Sequence, residues 1–240
     1  MGKNTLKIIA FFIIGMVGGI FADQIFWPYF IERPLFNKYR LEQAPIYVTE
    51  KKEVTNYIQE NTALKEAVAK VEKVVAGVKT KAENDLVLEG SGLVLTADGF
   101  IVTLADLVPQ GSAFAFYVNE KWPAYQILKR DLKENLALIK VEDGKSQSSG
   151  FADLEKLKLG ERVFLVGFDF SASTPQRVVN EGVIKSFNKD AIQTSIIESS
   201  HMAGSPLFNI EGNVVGLAVV DGEGRVSAIP ISKIRLFTGF

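Results

Sequence analysis

His201-Met202-Ala203-Gly204-Ser205-Pro206-Leu207-Phe208-Asn209 is the stretch on which the reading of this chain turns. A short loop marked by Gly204 leads into an apolar run, Ser205–Ile210. Glu211-Gly212-Asn213 follows as a turn, then the apolar run Val214–Val220. Asp221-Gly222-Glu223-Gly224 turns once more into Arg225–Ile231. Glycine beside Asn or Asp between apolar runs favours hairpins, because glycine reaches positive φ without a Cβ clash. The pattern recurs upstream, where Asp98-Gly99 separates Leu93–Thr96 from Phe100–Thr103. Many short strands at this spacing predict an all-β barrel architecture. One helix is expected ahead of them, because Leu64, Ala67, Val68 and Val71 recur at i, i+3, i+4 and i+7. Val74 then begins the strands.

Several segments carry a common resemblance. Gly90-Ser91-Gly92-Leu93-Val94-Leu95 leads through Asp98-Gly99-Phe100-Ile101-Val102-Thr103 to Leu104-Ala105-Asp106-Leu107-Val108. Downstream stand Arg130-Asp131-Leu132-Lys133-Glu134-Asn135-Leu136-Ala137-Leu138-Ile139-Lys140, then Leu157-Lys158-Leu159-Gly160 with Val163 and Gly167. Glu181-Gly182-Val183-Ile184, Ile192-Gln193-Thr194, Gly212–Gly216 and Ala228-Ile229-Pro230 complete the series. In this order and spacing, from about Ala63 to Phe240, the chain resembles the trypsin-like serine proteases of the HtrA/Deg type. The resemblance implies a double six-stranded β-barrel, with the barrels meeting near residues 146–155 and a cleft between them. It stops at Phe240, so the PDZ domain that often follows in this family is not expected.

The resemblance also places the catalytic triad. The nucleophile position falls on Ala203, the general base on Asp106 and the orienting carboxylate on Asn135. Such a triad needs a hydroxyl, a base to take its proton and a carboxylate to hold the base. Ala203 offers a methyl group. Asp106, with a reference pKa near ~3.9, is a poor base at neutral pH. Asn135 carries no charge. The oxyanion loop falls on His201, Met202 and Ala203, with His201 where the family has glycine. The expectation is therefore that the chain is not an enzyme. A relocated site built from His201, the only histidine, with Ser199, Ser200 or Ser205 is the rival reading; structural serines are the preferred one.

Without a triad, the implied cleft still offers backbone for an added peptide strand. By resemblance, Leu217-Ala218-Val219 lines that edge, with His201 and Met202 crowding its mouth. The leading expectation is a membrane-anchored pseudoprotease that binds peptides or unfolded protein segments in envelope quality control. A second is an inert subunit or regulator that assembles with active paralogous proteases; the resemblance also implies a homo-trimer or hetero-oligomer, with contacts near Tyr47 and Tyr57. A third is a serine endopeptidase with a rearranged site.

Composition agrees with these readings. The 240 residues carry a formal net charge of -1, with Lys and Arg scattered, so nucleic acid is not an expected partner. There is no cysteine and one histidine, so no metal or cofactor site is expected, Asp106 with Asn135 included. Ile8 to Ala22 is an unbroken run of apolar and glycine residues, continued after Asp23 and Gln24 by Ile25–Ile31. A membrane helix needs ~20 such residues. Trp27 and Tyr29 suit the headgroup region. An uncleaved transmembrane anchor is preferred; a cleaved signal peptide ending at Ala22 is the alternative. Lys3 and Lys7 before the span are offset by Arg33, Lys38 and Arg40 after it, so charge does not orient it. The family resemblance places the domain outside the cytoplasm. The expected organisation is thus an anchor over residues 1–30, a linker over 31–61 interrupted by Pro34 and Pro45, and a protease-like domain over 62–240.

Overall fold

The computed structural model describes residues 2–24, 60–83, 85–142 and 147–240. The chain divides into two compact units, residues 1–56 and 57–240. In the first, helix α1 spans Gly2–Phe21. Asn4–Gln24 has a mean hydropathy of 2.1, and none of it is buried. At ~1.5 Å per residue this segment reaches roughly 30 Å, about the thickness of a bilayer's hydrocarbon core. Its apolar side chains are exposed all round the helix. The expected linker over residues 31–61, with Tyr47 and Tyr57, lies outside the described residues except for its last two positions.

The second unit opens with helix α2, Glu60–Val71. Ala67 and Val71 are buried and Leu64 and Val68 pack beside them, which is the predicted stripe. A single 3-10 turn, Glu72–Val74, leads into twelve strands. The first six are β1 (Val75–Lys81), β2 (Val87–Val94), β3 (Phe100–Thr103), β4 (Ala113–Tyr117), β5 (Tyr125–Asp131) and β6 (Leu136–Val141). They form one antiparallel sheet in the order β4-β1-β2-β3-β6-β5. The gap between β4 and β5 is bridged by rings, with Tyr125 edge-on to Phe116 at 5.0 Å and to Phe114 at 6.1 Å.

The next six are β7 (Arg162–Asp169), β8 (Gln176–Phe187), β9 (Ile192–Ile197), β10 (Pro206–Asn209), β11 (Val214–Val220) and β12 (Arg225–Pro230). They close into a barrel in the order β10-β11-β12-β9-β8-β7. The expected hairpin turns are present, with Gly99, Gly212 and Gly224 at φ of 90°, 80° and 79°. Helix α3, Ile231–Thr238, was not expected: the strand predicted through Ile231 ends at Pro230. Its signal was present as Ile231, Ile234 and Phe237, a three-residue repeat whose members are all buried.

Strand alternation builds two cores at once. On β7, Val163 and Leu165 point into the closed barrel with Ile184, Ile192 and Leu207. Phe164, Val166 and Phe168 point the other way, into a core shared with Val78, Leu93 and Phe116 of the first sheet. The two barrels therefore hold each other through side chains of one strand. A backbone contact reinforces this: the Phe168 N–H donates to Ser91 Oγ at 2.9 Å, both residues being buried.

Candidate functional site

A cleft of about 250 Å³ lies where the two barrels meet. Asp106, Asn135, Ala203, His201, Glu89 and Ser200 line it, with Val87, Leu104, Leu107, Val219 and Val220. The residues to which the resemblance assigned the triad are thus brought to one place.

Strand pairing explains the first two. In the β3–β6 ladder Thr103 faces Ala137, so the residues just after β3 meet those just before β6. The Ala105 N–H donates to the Asn135 carbonyl at 3.2 Å, and the Asp106 N–H to Asn135 Oδ1 at 3.0 Å. Asn135 Nδ2 donates back to Asp106 Oδ2 at 2.7 Å. Asn135 sits at φ 53°, a left-handed conformation that Asn tolerates better than most residues. It therefore clamps the 3-10 turn Ala105–Leu107 that carries Asp106.

Ala203 is fixed from both barrels. Its carbonyl accepts from the Ser91 N–H at 2.9 Å, and the next N–H, of Gly204, donates to the Ala218 carbonyl at 2.8 Å. Gly204 has φ 75°, and a Cβ there would lie 2.3 Å from the Ser91 carbonyl oxygen. Only glycine fits. Ser200–Met202 forms one 3-10 turn, in which the Ala203 N–H donates to the Ser200 carbonyl at 3.0 Å. The Ala203 amide, in the loop that the resemblance gives to the oxyanion, is thus taken by the loop's own carbonyl.

That turn also separates the side chains of its members, since successive residues lie ~120° apart. His201 projects to the mouth of the cleft with its side chain 56% exposed. Met202 does not crowd the mouth as expected: it is 3% exposed and packs into the closed barrel against Gly167. Ser205 is fully buried, and its Oγ has no hydrogen-bond partner among the described residues.

The sequence reading missed the charged residue Glu89, as well as Val87 and Val220 of the same lining. Glu89 takes Lys79 Nζ on Oε1 at 2.9 Å and faces His201 Nδ1 with Oε2 at 3.4 Å. Nothing local marks Glu89 as functional; it stands 112 residues from His201, and only the fold joins them.

The backbone of the cleft has open edges. Ala82 pairs with Leu86 by a hydrogen bond, so by antiparallel alternation Val87, Glu89 and Ser91 turn their N–H and C=O groups away from β1. Ser91 uses its groups on Ala203 and Thr103. Those of Val87 and Glu89 have no partner among the described residues. On β11, Asp221 donates to Arg225, which turns Val219 and Leu217 toward β12 and leaves Ala218 and Val220 facing the other way. Ala218 exchanges hydrogen bonds with Ser205 and Gly204, whereas the groups of Val220 have no partner among the described residues. The edge expected over Leu217-Ala218-Val219 is thus displaced. Leu217 and Ala218 are buried and paired, Val219 lines the cleft with its side chain, and Val220 carries the free backbone.

Comparison with known proteins bears on this site. The trypsin-like peptidase domain family matches residues 90–217. A "Probable periplasmic serine endoprotease DegP-like" of Rhizobium meliloti is 31% identical over 139 residues, 54% of this chain and 27% of that protein. "Serine protease HTRA1" of Xenopus laevis is 34% identical over 161 residues, 62% of this chain and 35% of the relative. "Serine protease HTRA4" of Mus musculus is 32% identical, over 62% of this chain and 33% of its own length. The matched segment thus spans about a third of these relatives. These findings correct the expectation that the chain is not an enzyme: the family is one of peptidases, and each of these relatives bears the name of a serine protease. Residue 203 carries no hydroxyl and so offers no nucleophile. With two six-stranded barrels, the cleft between them and the matched segment in agreement, the chain belongs to the trypsin-like peptidase family, in its HtrA/Deg branch.

Proposed function

We propose that this chain takes extended segments of proteins into the cleft between its barrels, as a strand added beside Val220 and beside Val87 and Glu89. The open N–H and C=O groups of those three residues carry the reading. Unpaired strand edges are templates for another chain, and backbone hydrogen bonds recruit a peptide whatever stands at residue 203. Helix α1 tethers the chain to a membrane, and the periplasmic names of two relatives support a site outside the cytoplasm, in the handling of envelope proteins. Protein segments are the proposed partners, alone or as part of a homo-trimer or a mixed assembly with homologous proteases.

The test is backbone methylation. The full chain in nanodiscs is titrated with a capped, fluorescent, extended peptide and with two versions N-methylated at alternate residues. Both alternate sets are expected to bind more weakly than the parent peptide, because the N–H groups of one set face Val220 and those of the other face Val87 and Glu89. Binding by both sets as tight as that of the parent removes strand addition from consideration.

A second reading, hydrolysis, is favoured by one observation. Glu89 Oε2 faces His201 Nδ1 in the cleft where Ser200 also stands. A carboxylate on Nδ1 orients a histidine base and leaves Nε2 for a proton. Casein cleavage that vanishes in His201→Ala supports this reading; cleavage unchanged by that substitution rejects it.

A further inference from the structure

We propose that the cleft selects a bound segment for a basic side chain, with Asp106 as the residue that sets this preference. The inference rests on the strand-addition reading above and names what that strand should carry. Three charged or chargeable side chains line the cleft: Glu89, Asp106 and His201. Glu89 is already paired with Lys79 through Oε1 and faces His201 Nδ1 through Oε2. Asp106 has no ion-pair partner among the described residues. Its Oδ2 accepts from Asn135 Nδ2, and its Oδ1 has no hydrogen bond among the described residues. Asn135 Oδ1 also holds the Asp106 backbone N–H, so the carboxylate is presented from a fixed turn rather than a free loop.

The walls around Asp106 are apolar. Leu104, Leu107, Ala203 and Val219 line the same cleft. Ala203 adds only a methyl group there, which leaves room beside the carboxylate. A lysine or arginine has an apolar stem and a cationic head, and such side chains lay the stem on apolar surface while the head finds charge. An acidic side chain meets repulsion from Asp106, which has no ion-pair partner among the described residues to offset it. The open edges of Val220, Val87 and Glu89 are independent of these charges, and they bring a peptide side chain past Asp106.

Asp106 is exposed, so the effect is that of a screened ion pair. Lysine is expected to bind about two- to five-fold more tightly than methionine at the responsive position. The experiment uses the full chain in nanodiscs and capped peptides in which Lys, Met or Glu is placed at each position of one extended sequence in turn. Anisotropy gives Kd for each. The expected result is one position at which Lys exceeds Met and Glu is weakest. That ratio shrinks at high salt and falls to near one in Asp106→Asn. No position favouring Lys, or a preference that survives Asp106→Asn, overturns the proposal. If none of the peptides binds, strand addition itself fails and the proposal falls with it, an outcome distinct from binding without charge preference.

Discussion

Ser205→Ala is expected to stabilise the protein. Ser205 is fully buried and its Oγ lacks a hydrogen-bond partner among the described residues. It lies against Gly167, where an added Cβ would come 2.2 Å from that oxygen and 2.7 Å from Met202 Cε. Burying a hydroxyl without a partner costs about 1–3 kcal/mol. Removing the oxygen opens a void of about one atom, at ~24 cal/mol per Å³ and ~20 Å³, or about 0.5 kcal/mol. The difference is a gain of about 1 kcal/mol. For a unit of this size that raises Tm by about 2–4 °C. Thermal unfolding followed by near-UV circular dichroism, full chain against variant in the same detergent, measures it. A fall in Tm of more than ~2 °C refutes the reasoning, because it requires the hydroxyl to have a partner worth keeping. The same variant bears on chemistry: a fully buried Oγ is closed to a fluorophosphonate probe, so labelling should not change.

Gly204→Ala should destabilise by at least about 3 kcal/mol in denaturant titration, since φ 75° disfavours a Cβ and the added atom would lie 2.3 Å from the Ser91 carbonyl oxygen. A loss under ~1 kcal/mol means the loop relaxes around it. Lys233 bridges Glu134 at 2.9 Å and Asp190 at 3.0 Å. Its hydrogen bond holds the Asp190 carboxyl below the usual aspartate range, while hydrogen bonds to Glu134, then Asp190, raise Lys233. A depressed acid stabilises above its ordinary pKa and loses that support as pH falls through the folded value; a raised lysine keeps its support until pH climbs through its own. The cluster thus holds across neutral pH and weakens at both extremes. Carboxyl NMR should show Asp190 returning upward in Lys233→Met; an unmoved midpoint rejects the assignment.

Much of the fold was legible because its signals are local. Asp98-Gly99 and Glu211-Gly212-Asn213 announce hairpins through the φ values glycine alone takes easily, and both turns are present. Helix α3 was misread because Ile229-Pro230-Ile231 continues an apolar run, and the three-residue repeat of Ile231, Ile234 and Phe237 begins only after it. At the site, the family resemblance assigned Asp106, Asn135 and Ala203 to one cleft, and the structure places all three in its lining. The direction of Met202 was not legible, because one 3-10 turn decides whether a loop side chain faces barrel or solvent. The expected edge was off because counting residues along β11 does not say which N–H groups β12 has taken.

By itself, the sequence determined the class of fold, the apolar N-terminal span and the absence of a hydroxyl at residue 203, since each depends on residue identity and short-range periodicity. Only the tertiary structure decided that Asn135 clamps Asp106, that Glu89 faces His201, that Ser205 is sealed in the core and that Val220 rather than Leu217 is open. These pairings join residues 29 and 112 positions apart along the chain. Strand register and barrel closure fix them, and neither is written in any single local segment.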